Sequence, residues 1–256
     1  VTAVPVDVFT AWVFPSLLLS LRIAPVFAFA PPFTLVPAPA PFRLLFGLGV
    51  AATLVWSHPA AAALADPGLA TVVAVAVREL LLGSIFVLAF QLAFGALAMA
   101  GRTIDIQAGF GLAVLIDPTT KTQTPLIGTL FSYAAGVIFF ALGGHIDLLR
   151  IFTASLEAIP LGAAQMPGSL ARLTGFISVV FLTSFGVAGG VILSLFLADL
   201  AVAGLSRTAP QMNVLVLGFQ VKTILLLMVL PMTFGFAGAL LARVTSLTLE
   251  ALPGLL

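Results

Sequence analysis

The sequence contains no cysteine, one tyrosine and two histidines, and only 7% of its 256 residues are charged. Each shortage excludes something. Without cysteine there is no disulfide framework, iron–sulfur cluster or thiolate zinc site, and the redox compartment stays open. Two histidines, His58 and His145, are too few for a histidine-rich metal site, and no cofactor is expected. Soluble domains carry roughly a quarter charged residues, and nine acids with ten bases cannot clothe a chain of this length in polar surface. Lipid or partner protein must therefore cover the outside. The net charge of +1, carried by singly scattered cations, excludes nucleic acid as a ligand. No cation precedes Arg22, so a cleaved secretory signal is not expected and insertion would rest on the hydrophobic segments themselves.

What is present is apolar: 61% of the residues are hydrophobic. A bilayer core of about 30 Å needs about 20 apolar residues per helix. Residues 80–101, 122–146, 173–198 and 223–242 are uncharged runs of that length. Two further candidates are residues 8–30, interrupted by Pro15, Arg22 and Pro25, and the shorter 43–57, which ends at Ser57, His58 and Pro59. These two read as half-spanning or kinked helices. About six hydrophobic segments in an all-α membrane protein, forming one domain over residues 1–256, are expected. Proline-rich PPFTLVPAPAP (31–41) reads as extended chain. Each connector holds about one cation, so the loop bias that sets membrane sidedness is missing.

Several residues invite a functional reading. Arg22, the Arg78–Glu79 pair, Asp199 and Lys222 lie in or beside apolar runs, where charge is costly unless it faces protein or water. Glu79 has two readings: an ion-coupling carboxylate of a transporter, or an anion favoured by the dipole of a helix N-terminus. Arg78 and Glu79 point about 100° apart on a helix and need separate partners. His145, after Gly143 and Gly144, reads as a helix C-terminal residue rather than a proton relay, and Asp147 with Arg150 as an i,i+3 ion pair. Gly186, Gly190, Ser194 and Ala198 recur every four residues and form a smooth helix strip, suited to an intramolecular helix pair or to a subunit interface. There is no GxSxG, no phosphate loop and no HExxH, so catalysis is not expected.

The midpoint of the chain is the most unusual part. Gly101, Gly109 and Gly111 flank Arg102, Asp105 and Gln107, and the apolar LAVLID (112–117) meets Pro118. Glycine loosens the backbone and proline drives its predecessor out of the helical region, so irregular chain is expected here. At membrane depth such chain survives only beside protein or a water-filled cavity. A pore-lining or pore-closing loop meets that condition; the polar TTKTQT that follows suits an exposed loop between two helices.

The stretch AGRTIDIQAGFGLAVLIDP (100–118) resembles the central signature of the FliR family, the flagellar export-gate subunit and its counterpart in virulence type III secretion. RELLLG (78–83), GGH (143–145), SLEAIPLG (155–162) and SRTAPQMNVLVLGF (206–219) are similar to family motifs in the same order. Position 102 is Arg where the family commonly has an acid, and Gln220 stands where proline is common. The resemblance implies a non-enzymatic subunit of the bacterial inner membrane and flagellar basal body. There it would join FliP-type and FliQ-type subunits in a helical assembly of apolar hairpins, with an FlhB-type subunit attached, at the entry of a channel for unfolded flagellar proteins. It also implies that much of the apolar surface is buried against those neighbours, above the plane of the bilayer lipid. By the same resemblance the central loop is a plug. Phe110, Leu112, Val114, Leu115 and Ile116 would supply apolar seal surface, Gly109 and Gly111 freedom to move, and Asp117 and Pro118 the turn back. The alternative from the residues alone is a polytopic secondary transporter of a small solute or ion, with Glu79, Asp199 or Lys222 in the coupling path.

Overall fold

The computed structural model describes residues 9–63, 68–110, 115–116, 123–163, 170–208 and 214–255. Their fold is all-α. The helices are α1 (Phe14–Phe29), α2 (Ala40–Ser57), α3 (Leu69–Ala108), α4 (Leu126–Ala141), α5 (Gly144–Ala158), α6 (Leu170–Thr208) and α7 (Val214–Leu255). Among the described residues the only strands are the two-residue β1 (Leu115–Ile116) and β2 (Gln123–Thr124), antiparallel with Leu115 opposite Thr124 and Ile116 opposite Gln123. Contacts divide the chain into two compact units. The first comprises Val1–Leu92, Gly143–Phe176 and Ser246–Leu256; the second comprises Ala93–Leu142 and Ile177–Thr245.

In the first unit α1 and α2 form a hairpin. Pro15 lies in the first turn of α1, where a missing N–H is no loss. Pro25 lies inside α1, yet the helix runs on to Phe29, so the expected interruption does not end it. A proline here leaves the Leu21 carbonyl without its intrahelical donor. Gly83 of α3 backs onto that turn, where an added Cβ would stand 2.7 Å from the Leu21 oxygen and 2.8 Å from the Arg22 oxygen. The weak turn of α1 thus packs closely against a neighbouring backbone. The Gln91 side chain closes the helix end, donating to the Phe29 carbonyl at 2.7 Å.

Helix α2 buries only Gly47, Ala51 and Val55, a four-residue spacing that presents one narrow face to α1. At Gly47 the approach is backbone to backbone, since a Cβ there would come within 2.5 Å of the Ala24 Cα. The opposite face is open, and Trp56 is 77% exposed. By length and composition α1 with its preceding turn, α2, α3 and α6 can each cross a membrane, and α4 with α5 supplies a fifth span if the two are taken together. Helices α3, α6 and α7 have 40, 39 and 42 residues. At about 1.5 Å per residue each follows a path of about 60 Å, twice the thickness of a bilayer core.

The uncharged run 122–146 is not one helix, contrary to the sequence expectation. It begins with β2, continues as α4 and ends inside α5, because Gly143 adopts φ +76° and the chain restarts there. The Ile146 N–H donates to the Gly143 carbonyl at 2.8 Å. His145 therefore lies in the first turn of α5, not at a helix C-terminus, and the dipole argument for it fails. Asp147, in the same turn, suits a helix N-terminus and pairs with Arg150 at 2.8 Å, as its spacing predicts.

Candidate functional site

The central loop leaves α3 and returns through α4, and both helix ends are fixed to one another. Gly101 and Gly128 touch so closely that a Cβ on either has no room: one on Gly101 would overlap the Gly128 backbone, and one on Gly128 would stand 2.6 Å from the Ala98 oxygen. One turn further on, the Asp105 carboxylate, 5% exposed, accepts the Ile127 N–H with both oxygens at 3.1 Å. Helix α4 starts after Pro125 and receives no side-chain cap from its own N-terminus. Asp105 serves as that cap from another helix, supplying an acceptor and a negative charge where free N–H groups point.

The start of the loop is held from a different direction. Lys222 of α7 donates to the Gln107 carbonyl at 3.1 Å and forms an ion pair with Asp199 of α6 at 2.5 Å. Gln107 lies in the last turn of α3, where carbonyls lack intrahelical donors. Gly109 adopts φ +86°, a conformation that favours glycine, and a Cβ there would stand 3.2 Å from the Phe219 ring. The half-buried Phe110 packs edge-on against the same ring, with centroids 6.2 Å apart. Of the other residues assigned to the plug, Leu115 and Ile116 form β1. Gly111, Leu112, Val114, Asp117 and Pro118 lie outside the described residues.

In the first unit the embedded charges form a dry knot. Arg22 and Glu79 both have fully buried side chains. The Arg22 Nε donates to Glu79 Oε2 at 2.6 Å and Nη2 to Oε1 at 2.9 Å. Nη1 donates to the Ser155 carbonyl and hydroxyl, and Nη2 also to the Ile159 carbonyl, each at 3.0 Å. A guanidinium has five N–H donors, and here the five bonds use that capacity in full. Ser155 and Ile159 stand at the C-terminal end of α5, where a cation suits the dipole. Glu79 is not at a helix N-terminus, as one sequence reading had it, because α3 begins at Leu69. Arg78 takes no share in the knot, and its sheltered Nε has no hydrogen-bond partner.

The strip on α6 is split. Gly186 and Gly190 are exposed and a Cβ on either would meet nothing within 4 Å. Ser194 donates back to the Gly190 carbonyl at 2.8 Å, and Ala198 is buried.

The structure gives roles to residues the sequence reading did not assign. Ser155 and Ile159 complete the shell of Arg22, Asp105 caps α4, and Phe219 receives the start of the loop. A signal was available for each of them: Ser155 and Ile159 lie in SLEAIPLG, Asp105 in the central signature and Phe219 at the end of SRTAPQMNVLVLGF.

Comparison with known proteins agrees with those motifs. The chain is similar to the flagellar biosynthetic protein FliR of Bacillus subtilis, 32% identical over 185 residues and 71% of each chain. It is similar to FliR of Escherichia coli, 29% identical over 145 residues and 56% of each chain. The Yop proteins translocation protein T of Yersinia pestis is 30% identical over 150 residues, 57% of each chain. The family described as bacterial export proteins, family 1, matches residues 13–247, and the chain belongs to that family.

Proposed function

We propose that this protein is a non-enzymatic subunit of the bacterial flagellar type III export gate. In this reading it is embedded at the inner membrane in the flagellar basal body, assembled with FliP-type, FliQ-type and FlhB-type subunits. The observation that carries the reading is the family match over residues 13–247 on a fold whose long helices leave large apolar side chains open. Helices with about twice the path of a bilayer core, lined by exposed Leu182, Leu193, Leu200 and Met228, need more than lipid to cover them. Sister subunits supply that cover, and the open Gly186 and Gly190 give one of them a place to approach closely. The relatives include FliR proteins and secretion-apparatus proteins, and the flagellar reading follows the FliR of Bacillus subtilis, which is 32% identical over 71% of each chain.

The central loop acts as the channel plug. Its two ends spring from one fixed crossing of α3 and α4, which suits an element that moves while its support stays still. Apolar side chains at 110–116 exclude water from a closed conduit, and ions with it. The transporter alternative finds no support, because both Glu79 oxygens are engaged by Arg22 and Asp199 is paired with Lys222.

Two measurements test this. Extraction of the protein in mild detergent is expected to bring the partner subunits with it, and a chain that purifies alone and moves a small solute in vesicles would refute the assignment. Shortening residues 110–118 in the assembled gate is expected to raise ion conductance. An intact complex with unchanged conductance would remove the plug role.

A further inference from the structure

Two arginines of the first unit are treated very differently. Arg22 is saturated, whereas Arg43, in the first turn of α2, has its Nε and Nη1 sheltered from solvent with no hydrogen-bond partner among the described residues. A sheltered cation without an acceptor is costly, so an acceptor is expected from outside the chain. Arg43 shares a helix face with Phe46, and Phe42, Leu45 and Phe46 are all exposed. Beneath them the buried Phe27 packs edge-on against Phe33 and Phe46, with centroids 4.7 and 5.0 Å apart. The result is a firm apolar surface with one charge set into it, and aromatic side chains with arginine are what the centres of protein interfaces hold.

A carboxylate and a lipid phosphate both fit the fork of a guanidinium. Lipid is reached by snorkelling, which carries the charged head outward to the headgroup layer, and two nitrogens of Arg43 are turned away from solvent instead. Tryptophan, which marks that layer, is at the other end of the hairpin: Trp56 lies in the last turn of α2, and Trp12 donates from Nε1 to the Ala52 carbonyl at 3.2 Å. Beside Arg43, the turn 31–41 has Thr34 as its only polar side chain. We propose that this end of α2 docks against an apolar surface of a different subunit, and that an Asp or Glu on that surface closes the fork with Arg43. This docking deepens the assembly reading above and rests on it.

The test uses the complex extracted in mild detergent, with the native chain and with Arg43→Glu, which sets two acids face to face. Partner subunits retained through a fixed wash are expected to fall by about tenfold or more, the scale of a lost charged hydrogen bond. The helicity of the chain, read by circular dichroism, is expected to stay unchanged, because Arg43 bonds nothing among the described residues. Arg43→Met, which leaves the partner's acid unpaired but adds no repulsion, is expected to lose less. Replacing the partners' Asp and Glu residues one at a time by Lys is expected to find one position that restores retention to Arg43→Glu. If none restores it, no partner carboxylate faces Arg43, and the docking is overturned. Undiminished retention overturns it too, and a fall in bound phospholipid phosphorus would then assign Arg43 to lipid. Should Arg43→Glu lose helicity, Arg43→Met decides by the same measure, and loss of helicity in both variants shows that Arg43 serves the chain's own fold and overturns the docking. A native chain that retains no partner refutes the assembly reading itself, whereas failure at Arg43 alone leaves that reading standing.

Discussion

Arg22–Glu79 and Lys222–Asp199 each join two helices, one pair in each compact unit, yet they are built on opposite principles. The first is fully buried and saturated, with every guanidinium N–H used and both carboxylate oxygens engaged. The second is partly exposed and ties one helix-terminal carbonyl. A buried charge costs several kcal/mol unless its partners are complete, so the first arrangement has no low-energy intermediate between made and broken. An exposed pair contributes about 0–1 kcal/mol and is screened by salt, so the second changes state easily. The difference separates a fixed joint from a movable one. The joint holds α1, α3 and α5, and the second contact ties the C-terminal end of α3 to α7.

The sharpest way to break this comparison is at the joint. Glu79→Gln leaves a buried cation facing a neutral amide and is expected to destabilise the protein by about 3–5 kcal/mol. The thermal midpoint and yield of the complex in mild detergent report it. Replacing both partners, Arg22→Met with Glu79→Leu, is expected to recover most of that loss, because no charge is left unpaired. A double variant as unstable as the single one would show that the carbonyls of Ser155 and Ile159, rather than Glu79, are what Arg22 satisfies.

Glycine substitutions sharpen it next. Gly101→Ala forces a methyl into the Gly128 backbone and is expected to cost about 1–3 kcal/mol through overpacking. Gly190→Ala meets open space and is expected to leave the chain's own stability within about 0.5 kcal/mol. Gly190→Leu then separates the two uses of a small residue. If α6 receives a sister subunit, co-purification of that subunit drops while the chain's helicity, read by circular dichroism, stays unchanged. Retained partners would place the subunit contact elsewhere. A smaller effect than at Gly101 is expected at Asp105→Ala, which removes the remote cap of α4 at a cost of about 0.5–2 kcal/mol, visible as faster amide exchange in the first turn of that helix.

Much of the fold was legible in the sequence because hydropathy reports which segments avoid water. Three of the four long uncharged runs lie on single helices and both interrupted candidates fall on α1 and α2, with α1 running on past Pro25 where the Gly83 backbone packs against it. Run boundaries misled where charge and hydrogen bonding part company. The run beginning at 80 suggested a helix start at Glu79, but α3 begins earlier with uncharged residues, and the run 122–146 hid the left-handed Gly143 that starts α5. The site was half legible. Gly101, Asp105 and Gln107 stood out as the flank of an irregular loop, and the need of Arg78 and Glu79 for separate partners followed from helix geometry. Which partner each charge takes is a tertiary fact: Arg22 reaches Glu79 across 57 positions and Lys222 reaches Gln107 across 115, and no local pattern encodes either distance.

A small stability effect carries the most information about function. Lys222→Met is expected to lower the thermal midpoint by what less than about 1 kcal/mol produces, since the pair is partly exposed and Asp199 remains solvated without it. If the charge were simply structural, conductance would track that small loss and match what Asp105→Ala, the costlier change, brings about. If the contact positions the loop, the ranking inverts: the gate with Lys222→Met leaks more than the gate with Asp105→Ala while being the more stable of the two. Raising salt offers the same comparison without mutation, because a Debye length of about 3 Å at 1 M screens the exposed pair and leaves the dry knot at Arg22 untouched. Leak that grows with salt in the native gate, beyond the rise in carrier concentration, and not in the Lys222→Met gate, would place the salt-sensitive step at this contact.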